Sequence, residues 1–289
     1  MAPTSSVSTR LLKHLRHLAG ERHPHRAPAA LKYAEQYLTK AFREAGCHVK
    51  AHSFRALGGT YHNVLASTAP VSTGAAAAAP IIIGAHYDTY EESPGADDNA
   101  SALAVLLETA QAMRGISASR PIIFVGFCLE EFNLLGSRAY AAALRKQGQP
   151  VHGTIVLECV GYADERDGTQ QQPPIPVTVP PVGDFLGIVG NESAKELVTV
   201  LERAAAQGSL PLKTISMIVP GNGDAFPDTR RSDHAAFWDY GFPAVMLTDT
   251  ANFRNPHYHR PTDTLNTLNL PFLERVTGAV VRAVQRLAQ

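Results

Sequence analysis

Acids and imidazoles stand where apolar runs end. His86 and Asp88 follow IIIGA (81–85), Asp97 and Asp98 close the loop after them, Glu130 and Glu131 follow IIFVGF (122–127), Glu158 interrupts TIVLECV (154–160), and His259 lies in NPHYHRPTDT. Imidazole and carboxylate are the donors that paired zinc ions take. Carboxylates gathered in a low-dielectric cleft without a counterion would cost several kcal/mol or protonate. Each residue also has a plainer reading. Glu130 and Glu131 suit a helix N-terminus, and Asp97, Asp98 and Asn99 are capping types. His259 could be an ordinary loop histidine, and His257 competes for its role. Glu158 weighs most, because an acid inside an apolar strand requires a partner or an ion.

Three apolar strands, 81–85, 122–127 and 154–160, alternate with helical patterns over 101–114 and 134–147. Near-continuous apolar strands followed by helices indicate a parallel sheet covered on both faces. Such sheets place their chemistry at the C-terminal strand ends. Further helices are expected over 5–20, 29–44, 191–207, 232–240 and 271–287, and further strands over 47–54, 63–67, 213–219 and 243–247, the first two joined by a turn at Gly58-Gly59. Asn99 or Ser101 is expected to cap the helix at 101. VSTGAAAAAP (71–80) reads as a surface connection, and the Pro- and Gln-rich stretch 163–190 as an irregular excursion walling the site. Residues 1–28 read as an N-terminal helical extension and 29–289 as one catalytic domain.

Hydrophobic residues make up 45 % of the 289, which excludes general disorder, and the formal charge is zero. Scattered Lys and Arg give no footprint for nucleic acid. No apolar run is long enough for a membrane span or signal peptide. Cys47, Cys128 and Cys159 are too few for a disulfide framework. A cytoplasmic protein is expected, with no membrane partner and an undetermined oligomeric state.

GAHYDT with GADDNAS, CLEEFNLLGS, SDHAAFW and YHRPTDT, in this order, resemble the motifs of the co-catalytic di-zinc exopeptidases, a family that includes bacterial leucyl aminopeptidases, glutamate carboxypeptidase and glutaminyl cyclases. The likeness covers about residues 30–288. It implies an α/β, three-layer αβα sandwich with a mostly parallel, mixed central sheet. It implies two zinc ions per chain, one held by His86 and Glu158, the other by Glu131 and His259, with Asp98 bridging them. The family's pattern of His, three residues and then Asp-Thr would place this ligand at His259 rather than His257. Asp88 would fix the ring of His86, and Asp97, Asp233 and Asp263 would stand behind the ligands. Three ligand carboxylates, two Zn²⁺ and one hydroxide sum to neutrality. Glu130 would be the general base, and Tyr258 would stabilise the oxyanion or simply pack. Many members have Asp where this chain has Glu158, and the extra methylene can alter metal spacing.

The expected activity is that of an aminopeptidase, hydrolysing the N-terminal bond of a peptide or aminoacyl substrate with a water shared by two zinc ions. A one-zinc glutaminyl cyclase-type aminoacyltransferase and a metal-free scaffold are the alternatives. A carboxypeptidase or dipeptidase would use Arg230 or Arg231 to hold a carboxylate.

Overall fold

The computed structural model describes residues 6–69, 78–208 and 211–289, so residues 71–77 of the expected surface connection lie outside the described residues. One sheet of eight strands organises the chain, in the order β1 (His48–Ala56), β2 (Gly59–Ser67), β4 (Ile122–Phe127), β3 (Ile81–His86), β5 (Gly153–Glu158), β8 (Ala244–Thr248), β6 (Leu186–Asn191) and β7 (Thr214–Val219). Its centre is four adjacent parallel strands, β4 (Ile122–Phe127), β3 (Ile81–His86), β5 (Gly153–Glu158) and β8 (Ala244–Thr248). Every residue in them is buried, as apolar runs covered on both faces require.

Alternation along these strands fills two cores. Ile81 and Ile83 face one, and Ile82 the other. Helices α1 (Val7–Leu18), α2 (Pro28–Glu44), α3 (Ala102–Ala112), α5 (Lys195–Ala205) and α7 (Leu270–Leu287) close the first. Helices α4 (Leu135–Lys146) and α6 (His234–Asp239) close the second. The result is the three-layer arrangement expected, with a mixed sheet. Hairpin strands β1 (His48–Ala56) and β2 (Gly59–Ser67) add to one edge antiparallel. They turn through Leu57 and Gly58, both at positive φ (47° and 74°), the conformation a two-residue hairpin turn needs.

The structure corrects the sequence reading in two places. The stretch read as irregular through residue 190 contains a strand, β6 (Leu186–Asn191), antiparallel to β8 and parallel to β7 (Thr214–Val219). Gly187 and Gly190 dilute its β-forming character, but β6 packs close to its neighbours: a Cβ at Gly187 would stand 3.2 Å from the Thr248 carbonyl. The following helix therefore starts at Lys195. Neither Asn99 nor Ser101 caps α3. The chain enters α3 through a distorted turn, Ala96–Ser101, and both side chains are used elsewhere.

The N-terminal helix shares the main core. Ser6 caps it through Thr9 N–H, and Leu11, Leu15 and Leu18 pack against the sheet-facing helices at 0–1 % exposure. No helix among the described residues is long and apolar enough to cross a membrane. Leu15→Ala should therefore lower unfolding stability by about 2–5 kcal/mol in urea titration, the range for a buried leucine truncation. A change within about 0.5 kcal/mol would mean α1 is a detachable appendage.

Candidate metal centre

The four parallel strands end at one edge of the sheet, and each delivers donors there. His86 is the last residue of β3, Glu158 the last of β5, and Glu130 and Glu131 come three and four residues after β4. Asp98 sits in the distorted turn before α3, and His259 in the loop between β8 and α7. Register makes this work: His86 pairs with Phe127, so the donors of β3 and β4 leave the sheet at the same level.

Two donor groups share Asp98. His86 Nε2 lies 3.1 Å from Asp98 Oδ1 and 3.5 Å from Glu158 Oε1. His259 Nε2 lies 3.1 Å from Asp98 Oδ2 and 3.3 Å from Glu131 Oε2. Within each group the three donor atoms lie within 4.8 Å of one another, and His86, Glu130 and Glu131 form a third such group. His257 is turned away, its Nδ1 at 3.0 Å from Thr262 Oγ1. Geometry thus selects His259.

These donors fit cations better than they fit each other. Among the described residues, His86 Nε2, Asp98 Oδ1, Glu131 Oε1 and His259 Nε2 are buried without a hydrogen-bond partner. Such orphans are rare and need an explanation, and a cation held between them would supply one. The electrostatics agree. Burial pushes both imidazoles down, but Glu158 and Glu130 raise His86 well above its ordinary value, and Asp98 and Glu131 raise His259 to about 10. Burial pushes Asp98 up, yet His259 and His86 hold it well below the usual carboxylate range. Burial raises Glu131 to about 7, with Asp98 adding to the effect, and raises Glu130 well above its ordinary value against the pull of His86. The cluster carries more negative charge than its own side chains comfortably balance.

Supporting side chains grip the backbone beneath the donors. Asp88 accepts the N–H groups of Glu130 and Glu131, both at 3.1 Å. Its main-chain carbonyl lies 3.1 Å from His86 Nδ1, with its carboxylate at 3.7 Å. Asp263 accepts the N–H groups of Asp97 and Asp98 at 2.9 and 3.1 Å. Asp97 accepts from Gly161 N–H and Asn255 Nδ2. Asn99 donates to the Leu157 carbonyl and accepts from Cys159 N–H, tying the Asp98 loop to the end of β5. Ser232 Oγ donates to Glu158 Oε2 at 2.7 Å. Asp233 beside it is fully buried, and burial raises its carboxyl to about 7 against the pull of His86. Sequence reasoning missed Asn99, Asn255 and Tyr90. Tyr90 and Tyr258 both stack on the ring of His259, at centroid distances of 4.1 and 3.9 Å.

The sequence profile of peptidase family M28 matches residues 63–284. The chain belongs to peptidase family M28. "Uncharacterized protein YfbL" of Escherichia coli K12 is 34 % identical over 96 % of this chain and 88 % of its own length. Aminopeptidase YwaD of Bacillus subtilis is 26 % identical over 71 % of this chain, a match that spans 41 % of YwaD. Among solved structures, the LapA aminopeptidase of Legionella pneumophila superposes with a TM-score of 0.75 at 19 % identity, covering 97 % of this chain and 72 % of LapA. The Porphyromonas gingivalis glutaminyl cyclase superposes with a TM-score of 0.68 at 19 % identity, covering 98 % of this chain and 97 % of that one. Membership bears out the expected fold and the expectation of a hydrolase of the peptidase class.

Beside the donors this M28 chain has an apolar cavity that reaches Glu158 and Tyr258. Ile175, Val177 and Val179 of the excursion form one wall, and Val189, Met217 and Met246 of the sheet form its floor. The Tyr258 hydroxyl accepts from Arg231 Nη2 at 3.3 Å, and burial, then Asp98, raises its ionisation well above the ordinary range, so it stays protonated. His234, next to Asp233, is fully buried, and its Nε2 bonds the Thr229 carbonyl at 2.8 Å.

Burial lowers His234 from 6.5 to about 4. The native state thus refuses a proton that the unfolded chain accepts. Its contribution is intact above about pH 6.5 and is lost as pH falls toward about 4. The stability advantage of wild type over His234→Gln should shrink by on the order of 3 kcal/mol across that window. Urea unfolding at a series of pH values checks this, and a pH-independent difference would refute it.

Proposed function

We propose that this protein is a zinc-dependent aminopeptidase with two zinc ions per chain. The observation that carries this reading is Asp98, whose two carboxylate oxygens each face a different imidazole–carboxylate pair, His86 with Glu158 and His259 with Glu131. Those five side chains would hold the ions. Zinc bound there would polarise a carbonyl and lower the pKa of water.

The protein's own groups do the rest. Glu130, with Oε2 at 3.8 Å from His86 Nε2, stands beside the donors, and burial raises its carboxyl well above its ordinary value, which favours its holding a proton. It takes a proton from the attacking water and returns it to the leaving amine. The protonated Tyr258 hydroxyl donates to the oxyanion as negative charge develops on the former carbonyl oxygen. The apolar cavity takes the side chain of the N-terminal residue, and Glu158 and Glu130 face its ammonium group.

Cleavage from the amino end is favoured over the carboxyl end by the state of the arginines. Arg230 is committed to Asp239 at 2.6 Å and to the Asn222 carbonyl. Arg231 shares its charge with Asp228 at 3.3 Å and with Asn252 at 2.8 Å. Neither offers an unshared fork to a substrate carboxylate. A cytoplasmic setting belongs to the same reading, supported by three free cysteines.

Metal analysis of the purified protein should give about two zinc per chain. A panel of aminoacyl-amides should be hydrolysed only with a free N-terminus, fastest with an aliphatic first residue, and chelation should stop turnover. One zinc with cyclisation of N-terminal glutamine would establish the cyclase alternative, and no zinc the scaffold. Glu130→Gln should retain zinc and lose about 10²–10⁴-fold in kcat. Undiminished turnover would remove Glu130 as the base.

A further inference from the structure

Arg22 lies between α1 and α2, in a segment that precedes the M28 match at residue 63. It is 2 % exposed, unusual for an arginine, and most of its bonds are to one loop. Three of its five guanidinium bonds reach that loop: Nε donates to the Tyr87 carbonyl at 2.8 Å, Nη2 to the Gly95 carbonyl at 3.1 Å and Nη1 to the Pro94 carbonyl at 3.2 Å. Nη1 also reaches the carbonyls of Gly20 and Leu18 on its own segment. Its backbone N–H donates to Thr89 Oγ1 at 2.9 Å, and the neighbouring Gly20 N–H donates to the Pro94 carbonyl at 2.7 Å. Tyr87 follows the donor His86, and Gly95 comes three residues before the donor Asp98. The guanidinium therefore grips both ends of the loop that joins two donors, and binds it to α1.

The loop is fitted around this contact. Gly95 is in the left-handed region at φ +59°, and a Cβ there would stand 2.5 Å from Thr89 Cγ2 and 3.0 Å from Arg22 Nη2. Burial lowers the guanidinium to about 10, while Asp98, Asp88 and Asp263 hold it up, so it is cationic at neutral pH. A planar fork with five N–H donors can satisfy carbonyls on several sides at once, and an ammonium with three donors cannot.

We propose that Arg22 is a positioning residue of the metal centre, holding the 87–98 loop so that His86, Asp88 and Asp98 stand in place before any ion arrives. This rests on the zinc reading above. Two measurements separate them: zinc affinity of the metal-free protein by competition with a chromogenic chelator, and amide hydrogen exchange across 87–98 in the same protein without zinc.

Arg22→Lys should bind zinc about tenfold or more weakly, the usual cost of losing a group behind a metal ligand. It should speed exchange over 87–98 while α7 exchanges as in wild type. Where activity is measured, kcat should fall more than KM rises. Leu15→Ala, which weakens the same N-terminal segment and leaves the guanidinium in place, should keep zinc affinity and loop exchange closer to wild type than Arg22→Lys does. Thr89→Val removes one bond and keeps the guanidinium, and should show the same two effects to a smaller degree. It decides the matter should Arg22→Lys fail to fold. Loop exchange and zinc affinity like wild type in whichever of these two variants folds would overturn the proposal. Equal losses in Leu15→Ala would do so too, by showing general destabilisation. A wild type that binds no zinc would sink the zinc reading and the metal-centre role with it, while faster 87–98 exchange in Arg22→Lys would still establish the grip of Arg22 on the loop.

Discussion

Carboxylates from Asp98, Glu130, Glu131 and Glu158 converge on two imidazoles at an edge of the sheet where each acid is at least nine-tenths screened from solvent. Like charges brought this close in a low dielectric repel strongly, and unpaired ions there are costly. The arrangement is tenable when positive charge occupies the middle of it. The rest of the edge is organised to keep the acids together in spite of that repulsion. Parallel strands serve well here, because their C-terminal ends coincide and each can contribute a donor without crossing another.

Holding the donors is achieved by exchange between loops. The loop after β3 provides Asp88, which binds the backbone of the loop after β4. The loop after β8 provides Asp263, which binds the backbone of the loop after β3. The loop after β3 in turn provides Asn99, which binds the end of β5. Each segment is fixed by a side chain from another, so none is set by its own sequence alone. The backbone is correspondingly unusual. Leu129, Cys159 and His259 have φ of 64°, 48° and 57°. A non-glycine residue in that region costs about 1–2 kcal/mol. Cys159 adjoins the donor Glu158, Leu129 adjoins Glu130, and His259 is itself a donor, so the conformations accompany the task of aiming carboxylates and an imidazole inward.

This explains what could be read from the chain alone. The apolar strands announced themselves because burial on both faces leaves a continuous run of apolar residues. Glu158 was conspicuous because nothing apolar explains an acid at that place. The five donors follow from segments that each carry a local pattern. Arg22, Asn99, Asn255 and Tyr90 do not, because their partners lie far along the chain: Arg22 bonds across 65 to 73 residues and Asn99 across 58 to 60. A side chain bonding a distant carbonyl leaves no period behind. Strand β6 was hidden for a different reason, its two glycines being placed for close packing and weakening the β pattern.

Fold alone could not have settled the chemistry. An aminopeptidase and a glutaminyl cyclase superpose on this chain with TM-scores of 0.75 and 0.68 and similar coverage of it, so the same layers accommodate both. What discriminates lies within a few ångströms of Asp98. A single ion would neutralise one imidazole–carboxylate group only. Here each oxygen of Asp98 lies 3.1 Å from a different imidazole, and each imidazole has a further carboxylate within 3.5 Å. Two nearly equivalent donor groups back to back are costly to maintain around one cation, because the second would keep its repulsion uncompensated. The symmetry about Asp98 is therefore an argument for two ions, and it is made by side chains whose positions depend on the cross-bonding of every loop at that edge.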